Sequence, residues 1–422
     1  MLIDIGPLQH NTAFRRLFAS QFISGLGTMV SYVAVPWQLY QLTRSNALVG
    51  LLGLVQLLPV VVCGLLGGAV ADRVDRRRLL IGSEALMALC VAGLFANALM
   101  AEPSVLAVYL LVAVLQGASG FHRPALEALT QKIARPEEFA AVAALSSLRG
   151  TVGMVGGPAL AGLLLARWGA VGAYLFDFAT FLAALFFLVR IPRERIDPSS
   201  VDPDGASQRP HLLADLAEGL RFAWARPELM GTYIVDIVAM AFAFPIALFP
   251  AMAAAYGQTE AVGWLLSAMS VGALVIGLFS GWAGKVRRHG RAVVIAAAVW
   301  ALGIVALGFA PSLMLALACL VLAGAADMVS GVFRGTIWNE TIPNALRGRL
   351  AGIEMISYLT GPLIGNVRAG FMADAWDVSA AIWVGGGVCL FGVIGTGYAL
   401  PRFWAYRSPL GNSAQAAPSP QP

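Results

Sequence analysis

Two apolar runs, about residues 47–71 and 79–100, flank a stretch reading Gly68-Ala69-Val70-Ala71-Asp72-Arg73-Val74-Asp75-Arg76-Arg77-Arg78, whose last seven residues carry six charges. Each run exceeds the roughly 20 residues that a helix rising about 1.5 Å per residue needs to cross hydrocarbon. Two such runs joined by so short a charged loop admit one solution, a pair of membrane helices turning at the bilayer surface. Four arginines in the loop assign that surface to the cytoplasm.

The pattern recurs along the chain. Hydropathy broken by turn residues and charge predicts twelve spans, about 17–42, 47–71, 79–100, 104–130, 140–167, 170–190, 228–256, 261–284, 292–310, 312–341, 350–373 and 378–400. With 59% hydrophobic and 12% charged residues, the chain has about half the charge of a water-soluble globule. The expected class is an all-α polytopic membrane protein, and the net charge of +5 reports topology, not a nucleic-acid partner. Arg15 and Arg16 precede a first run too long for a signal-peptide core, so it reads as a span. Only Arg44 and Arg167 fall at the face opposite the charged loop, which predicts that both termini are cytoplasmic. Cys63, Cys90, Cys319 and Cys389 all lie in apolar runs and lack paired spacing, so they read as packing thiols and not as metal ligands.

Four regions follow: a six-helix bundle over 1–191, a cytoplasmic linker over 192–227, a second bundle over 228–402 and a polar tail over 403–422. The linker contains an amphipathic pattern from His211 to Trp224, suited to the membrane surface. The bundles are read as repeats. Ser119, Gly120 and Arg123 in span four match Ser330, Gly331 and Arg334 in span ten, and Gly157-Pro158 in span five recurs as Gly361-Pro362 in span eleven. The charged loop returns, degenerate, from Gly281 to Arg291. Three matches in one order predict two pseudo-symmetric halves.

Twelve spans in two halves, with Gly68, Ala71, Asp72, Arg73, Arg76 and Arg77 in the loop between helices two and three, resemble the major facilitator superfamily. Asp75 stands where a second glycine is usual there. The run Gly153 to Gly162, with Gly157-Pro158 at its centre, is similar to a motif common in exporters of that superfamily. Asn97 to Leu111, Leu145 to Gly150 and Gly219 to Phe222 are similar to its enterobactin-exporter branch. The resemblance implies alternating access in a bacterial cytoplasmic membrane and export of a small amphipathic molecule such as a siderophore or drug, with protons as the coupling partner and a single chain as the working unit. It also implies that Gly68, Asp72, Arg73, Arg76, Arg77, Gly157 and Pro158 serve gating, with Asp72 and Arg76 bridging the halves.

Ionisable groups inside spans cost several kcal/mol, so those near the midplane are expected to face a cavity or a partner. Asp327, midway along span ten and two turns before Arg334, is the first candidate for proton coupling, and Asp236 in span seven is the second. Arg123, Arg149 and Arg334, with Gln116, His122 and Trp338, are candidates to line a substrate cavity, where arginine forks would suit an anionic or polyphenolic molecule. Glu127 lies four residues after Arg123 and predicts an intrahelical pair. Glu84, Asp177, Glu340 and Glu354 read as structural carboxylates within reach of water near span ends. A nutrient symporter is the alternative transport reading. A lipid-modifying membrane enzyme is weaker: His122 is the only histidine inside a span, and no catalytic set, metal cluster or cofactor motif accompanies it. Gly284-Lys285 is followed by Val286, which does not make a nucleotide-binding P-loop.

Overall fold

The computed structural model describes residues 4–71, 74–192, 221–343 and 346–408, with backbone alone for 65–71, 280, 347–349 and 351–359. Asp72, Arg73, nearly all of the linker and most of the tail lie outside the described residues, and only backbone is described at Gly68. Among the described residues the structure is helical, without strands. The helices that build it are α1 (Thr12–Thr43), α2 (Asn46–Ala71), α3 (Arg76–Ala98), α4 (Val105–Ile133), α5 (Phe139–Val189), α6 (Pro227–Phe242), the short α7 (Phe249–Ala255), α8 (Ala261–Leu278), α9 (His289–Gly308), α10 (Leu313–Thr341), α11 (Arg347–Ala375) and α12 (Val378–Ala399).

Among the described residues, 10 stretches are long and apolar enough to cross a membrane. Expected spans five and six both lie in α5, and expected span eleven coincides with α11, so the count is compatible with twelve. Large apolar side chains such as Leu58, Leu89, Leu110 and Phe391 are more than half exposed, which in water would be a severe liability and in lipid is the required surface. Side-chain caps close the helix starts where loops are shortest. Asn11, Ser104, Ser312 and Asp377 each accept a backbone N–H in the first turn. Asp75 does the same for α3, accepting from the Arg78 N–H at 3.0 Å, so the residue that replaces the usual glycine is the N-cap of the helix after the charged loop.

Two local features depart from straight spans. Gly169, inside α5, has φ +62 and ψ −161, a conformation open essentially to glycine alone. The Cβ of Met29 in α1 abuts Gly157, and Ser31, half a turn further on, bonds Asp177. In one straight helix positions 157 and 177 would lie about 30 Å apart. The chain therefore reverses at Gly169, and α5 is a helical hairpin with a one-residue turn. Expected span seven is likewise interrupted: α6 stops at Phe242 and a 3-10 turn, Ile246–Leu248, precedes α7. Pro245 and Pro250 each remove a backbone donor, and Phe244 before the first proline is pushed away from helical dihedrals. Gly385 of α12 has no side chain where the Phe242 carbonyl and the Arg368 guanidinium approach, so a cation sits at the frayed helix end.

The chain forms two compact units, Met1–Ser207 with Ile246–Ser267, and Gln208–Pro245 with Ala268–Pro422. The Ile246–Ser267 segment, in spans seven and eight of the sequence, thus groups with the N-terminal helices. In the first unit α1 packs on α5, α2 on α4, and α3 on both α4 and α5. In the second, α6 packs on α11, α9 on α10, and α9 on α12. These are corresponding partners of one repeat, and the approach at the repeated Gly-Pro motif corresponds too. A Cβ on Gly157 would lie 2.4 Å from the Met29 Cβ, and one on Gly361 would lie 2.8 Å from the Met240 Cβ. Glycine lets each helix pair approach closely in lipid, where packing replaces the hydrophobic drive.

Candidate functional site

The second unit holds a buried cluster of charge. Arg334, on α10, is 4% exposed, and its guanidinium pairs with the Asp236 carboxylate of α6, itself 2% exposed. The same guanidinium reaches Asp327 Oδ1 at 3.6 Å from two turns away on its own helix. Asp327 keeps 41% of its side-chain surface, so one carboxylate of the cluster is closed and the other open. Both line a crevice with Ala239, Ala297, Trp300 and Ser330, which has room for about one water. Two carboxylates and one guanidinium sum to one negative charge, an expensive state in a low-dielectric interior.

Thus Asp236, Asp327 and Arg334, expected separately as two proton candidates and a cavity cation, form one cluster. Arg334 is engaged by two carboxylates. Trp338, one turn beyond it, is buried: its indole N–H donates to Thr232 Oγ1 at 2.8 Å and its ring stacks on Tyr233 with centroids 5.6 Å apart. It packs α10 on α6.

The remaining candidates lie in the first unit. Arg123 is exposed and makes the expected pair with Glu127 at 3.4 Å. Arg149 and Gln116 are half-buried on α5 and α4. His122 Nε2 lies 2.6 Å from Glu84 Oε2, and Gln21 Nε2 approaches the same oxygen at 3.5 Å. Gly157 and Pro158 are buried at the α1 contact, and the Pro158 carbonyl lies where a Cβ on Gly263 would be. Arg76 begins α3, and Arg77 donates to the Val189 carbonyl at 2.6 Å, which holds the start of α3 against the end of α5.

Glu84 and Asp177 require a correction, because neither is near water: both are fully buried. Ser31 donates to Asp177, and Thr180 donates to its backbone carbonyl at 2.7 Å. A Cβ on Gly27 would meet the Asp177 carboxylate at 2.4 Å, so glycine at that point of α1 makes the space for it. The signal was in the sequence as a polar stripe on α1, with Ser20, Gln21, Ser24, Gly27, Ser31 and Gln38 at helical spacing and all buried. Glu340 is also enclosed. Tyr406 donates to it at 2.9 Å, Ser408 donates to its other oxygen, and His289 lies 4.0 Å away. Burial and that carboxylate push the Tyr406 phenol up, so it remains a donor at physiological pH. The four cysteines are free thiols, three buried and Cys63 half-buried.

A family model described as transmembrane secretion effector matches residues 4–414. The chain belongs to that major facilitator family. It is a multi-pass membrane transporter. Its curated relatives include the enterobactin exporter EntS of Shigella boydii serotype 4 (strain Sb227) and that of Escherichia coli O9:H4 (strain HS), each 30% identical over 396 residues, or 93% of either chain. Among solved structures it is similar to a mutant of the nucleoside transporter NupG, with TM-score 0.73, 14% identity and coverage of 92% of this chain and 100% of that one. A bacterial homolog of the human lysosomal transporter Spinster aligns with TM-score 0.69 at 16% identity, over 93% and 96% of the two chains. These distant structures share the fold.

Proposed function

We propose that this transporter exports a small amphipathic molecule, of the siderophore type named for its curated relatives, by proton antiport across the bacterial inner membrane, with both termini cytoplasmic. The observation that carries the antiport reading is the Asp236–Arg334–Asp327 cluster. Its charge is one short of balance, and its open member, Asp327, is the group that can exchange a proton with water. With Asp327 ionised, Arg334 is shared between two carboxylates; with Asp327 protonated, Arg334 and Asp236 form a balanced closed pair. A proton therefore chooses between two charge arrangements in the middle of a span, and an antiporter needs such a choice in its two access states. The opposite half carries neutral Gln116 at the position matching Asp327 in the repeat.

In proteoliposomes with an imposed pH gradient, Asp327→Asn is expected to abolish gradient-driven accumulation of a catecholate siderophore while retaining substrate binding and exchange. A variant that still accumulates substrate in proportion to the pH difference would transfer the coupling role to Asp236.

A further inference from the structure

The first unit holds a second ionisable pair that this transport reading does not use. Glu84, about 12 Å along α3 from its start, has a fully buried side chain and His122 of α4 as its ion-pair partner among the described residues. His122 Nε2 meets Glu84 Oε2 at 2.6 Å, Gln21 of α1 reaches the same oxygen at 3.5 Å, and Glu84 Oε1 is buried with no hydrogen-bond partner. The imidazole keeps 14% of its surface, so the pair has a closed carboxylate end and a histidine end that solvent can reach.

The surrounding charges do not neutralise it. On α5, Asp177 is the carboxylate within electrostatic reach, and it supplies no positive charge. On α4, Arg123 is exposed and spends itself on Glu127. On α3 itself, Arg77 is bound to the Val189 carbonyl and Arg78 to Asp75. On α1, Arg16 donates to the Arg190 carbonyl. A neutral imidazole beside an ionised Glu84 would thus leave a bare negative charge in the bilayer interior. One added proton removes it: held on Oε2, it makes Glu84 a carboxylic acid that donates to Nε2 of the neutral imidazole along the contact already present.

We infer that Glu84 and His122 form a proton-binding site of the first unit, holding one exchangeable proton independently of Asp327. The repeat supports the placement. Position 84 of α3 corresponds, at the offset of the duplicated charged loop, to Ala297 of α9, which lines the Asp327 crevice. The first unit's pair thus lies between the third and fourth helices of its repeat, whereas the second unit's charges join the first and fourth, with Ala297 of the third beside them.

The test is proton binding by the full chain in nanodiscs, without transport. Infrared difference spectra between alkaline and acidic buffer, with carboxyl-labelled glutamate, are expected to contain a buried carboxylic-acid band. That band should be lost in Glu84→Gln, shift its titration midpoint in His122→Gln and persist in Asp327→Asn. Proton uptake measured with a pH indicator should fall by about one per chain in Glu84→Gln, as expected of a pair that shares a proton. A Glu84→Gln protein of unchanged melting temperature with the same band and uptake overturns the site. If that variant does not fold, His122→Gln decides: an unmoved midpoint overturns it and a moved midpoint supports it. Failure of the Asp327 role would alter only the transport result.

Discussion

Arg334 can be neither moved nor neutralised without consequence, because it is held between Asp236 and Asp327 and its guanidinium is almost wholly buried. Removing one partner of a buried pair costs about 3–5 kcal/mol, since the other charge is stranded. Arg334→Gln should therefore lower thermal stability sharply in detergent, and Asp236→Asn in the same protein should recover part of the loss; a melting temperature unchanged by the single variant would contradict the pairing. The two aspartates were legible in the sequence because any carboxylate deep in an apolar run demands a partner. Their sharing of one arginine was not, since Asp236 and Arg334 meet only through the packing of α6 on α10. Glu84 and Asp177 escaped for a related reason. Distance along a run suggested water, whereas α1 covers both with its polar stripe and Gly27 provides the recess for one of them.

Elements follow the sequence closely where apolar length and turn chemistry agree, as in α3, which Asp75 caps, and α4, which Ser104 caps. They depart where single residues decide the path. A run of apolar residues through Phe244-Pro245 looks continuous by hydropathy, yet Pro245 bars the continuation of α6, and the helix restarts as α7 with Pro250 in its first turn. At Gly169 the backbone adopts dihedrals that a Cβ opposes, although the space around it is open. Gly169→Ala should cost about 1–3 kcal/mol from the backbone alone. Gly25→Ala, in open surroundings on α1, is the matched control and should be nearly neutral. Equal melting temperatures for the two variants would mean that the turn tolerates another conformation.

For the whole molecule, the internal repeat was legible as short motif matches and reappears as packing: Gly157 against Met29 in one unit, Gly361 against Met240 in the other. The charged loop was the strongest motif in the chain, and Asp72 and Arg73 within it lie outside the described residues. The resemblance to the superfamily implies that the loop serves the transport cycle, so Asp72→Asn is expected to slow turnover several-fold while leaving substrate affinity nearly unchanged. Kinetics of export paired with equilibrium binding check this; altered substrate preference at normal turnover would contradict it. Expected spans five and six meet at one glycine, and that junction bears on how the protein is made. A turn with no loop cannot place one helix in lipid while its partner waits in water, so the two must leave the translocon together as a preformed hairpin. Chains arrested with the fifth span out of the ribosome and the sixth still in its exit tunnel should accordingly hold the fifth span beside the insertion machinery, and release it only once the sixth has emerged.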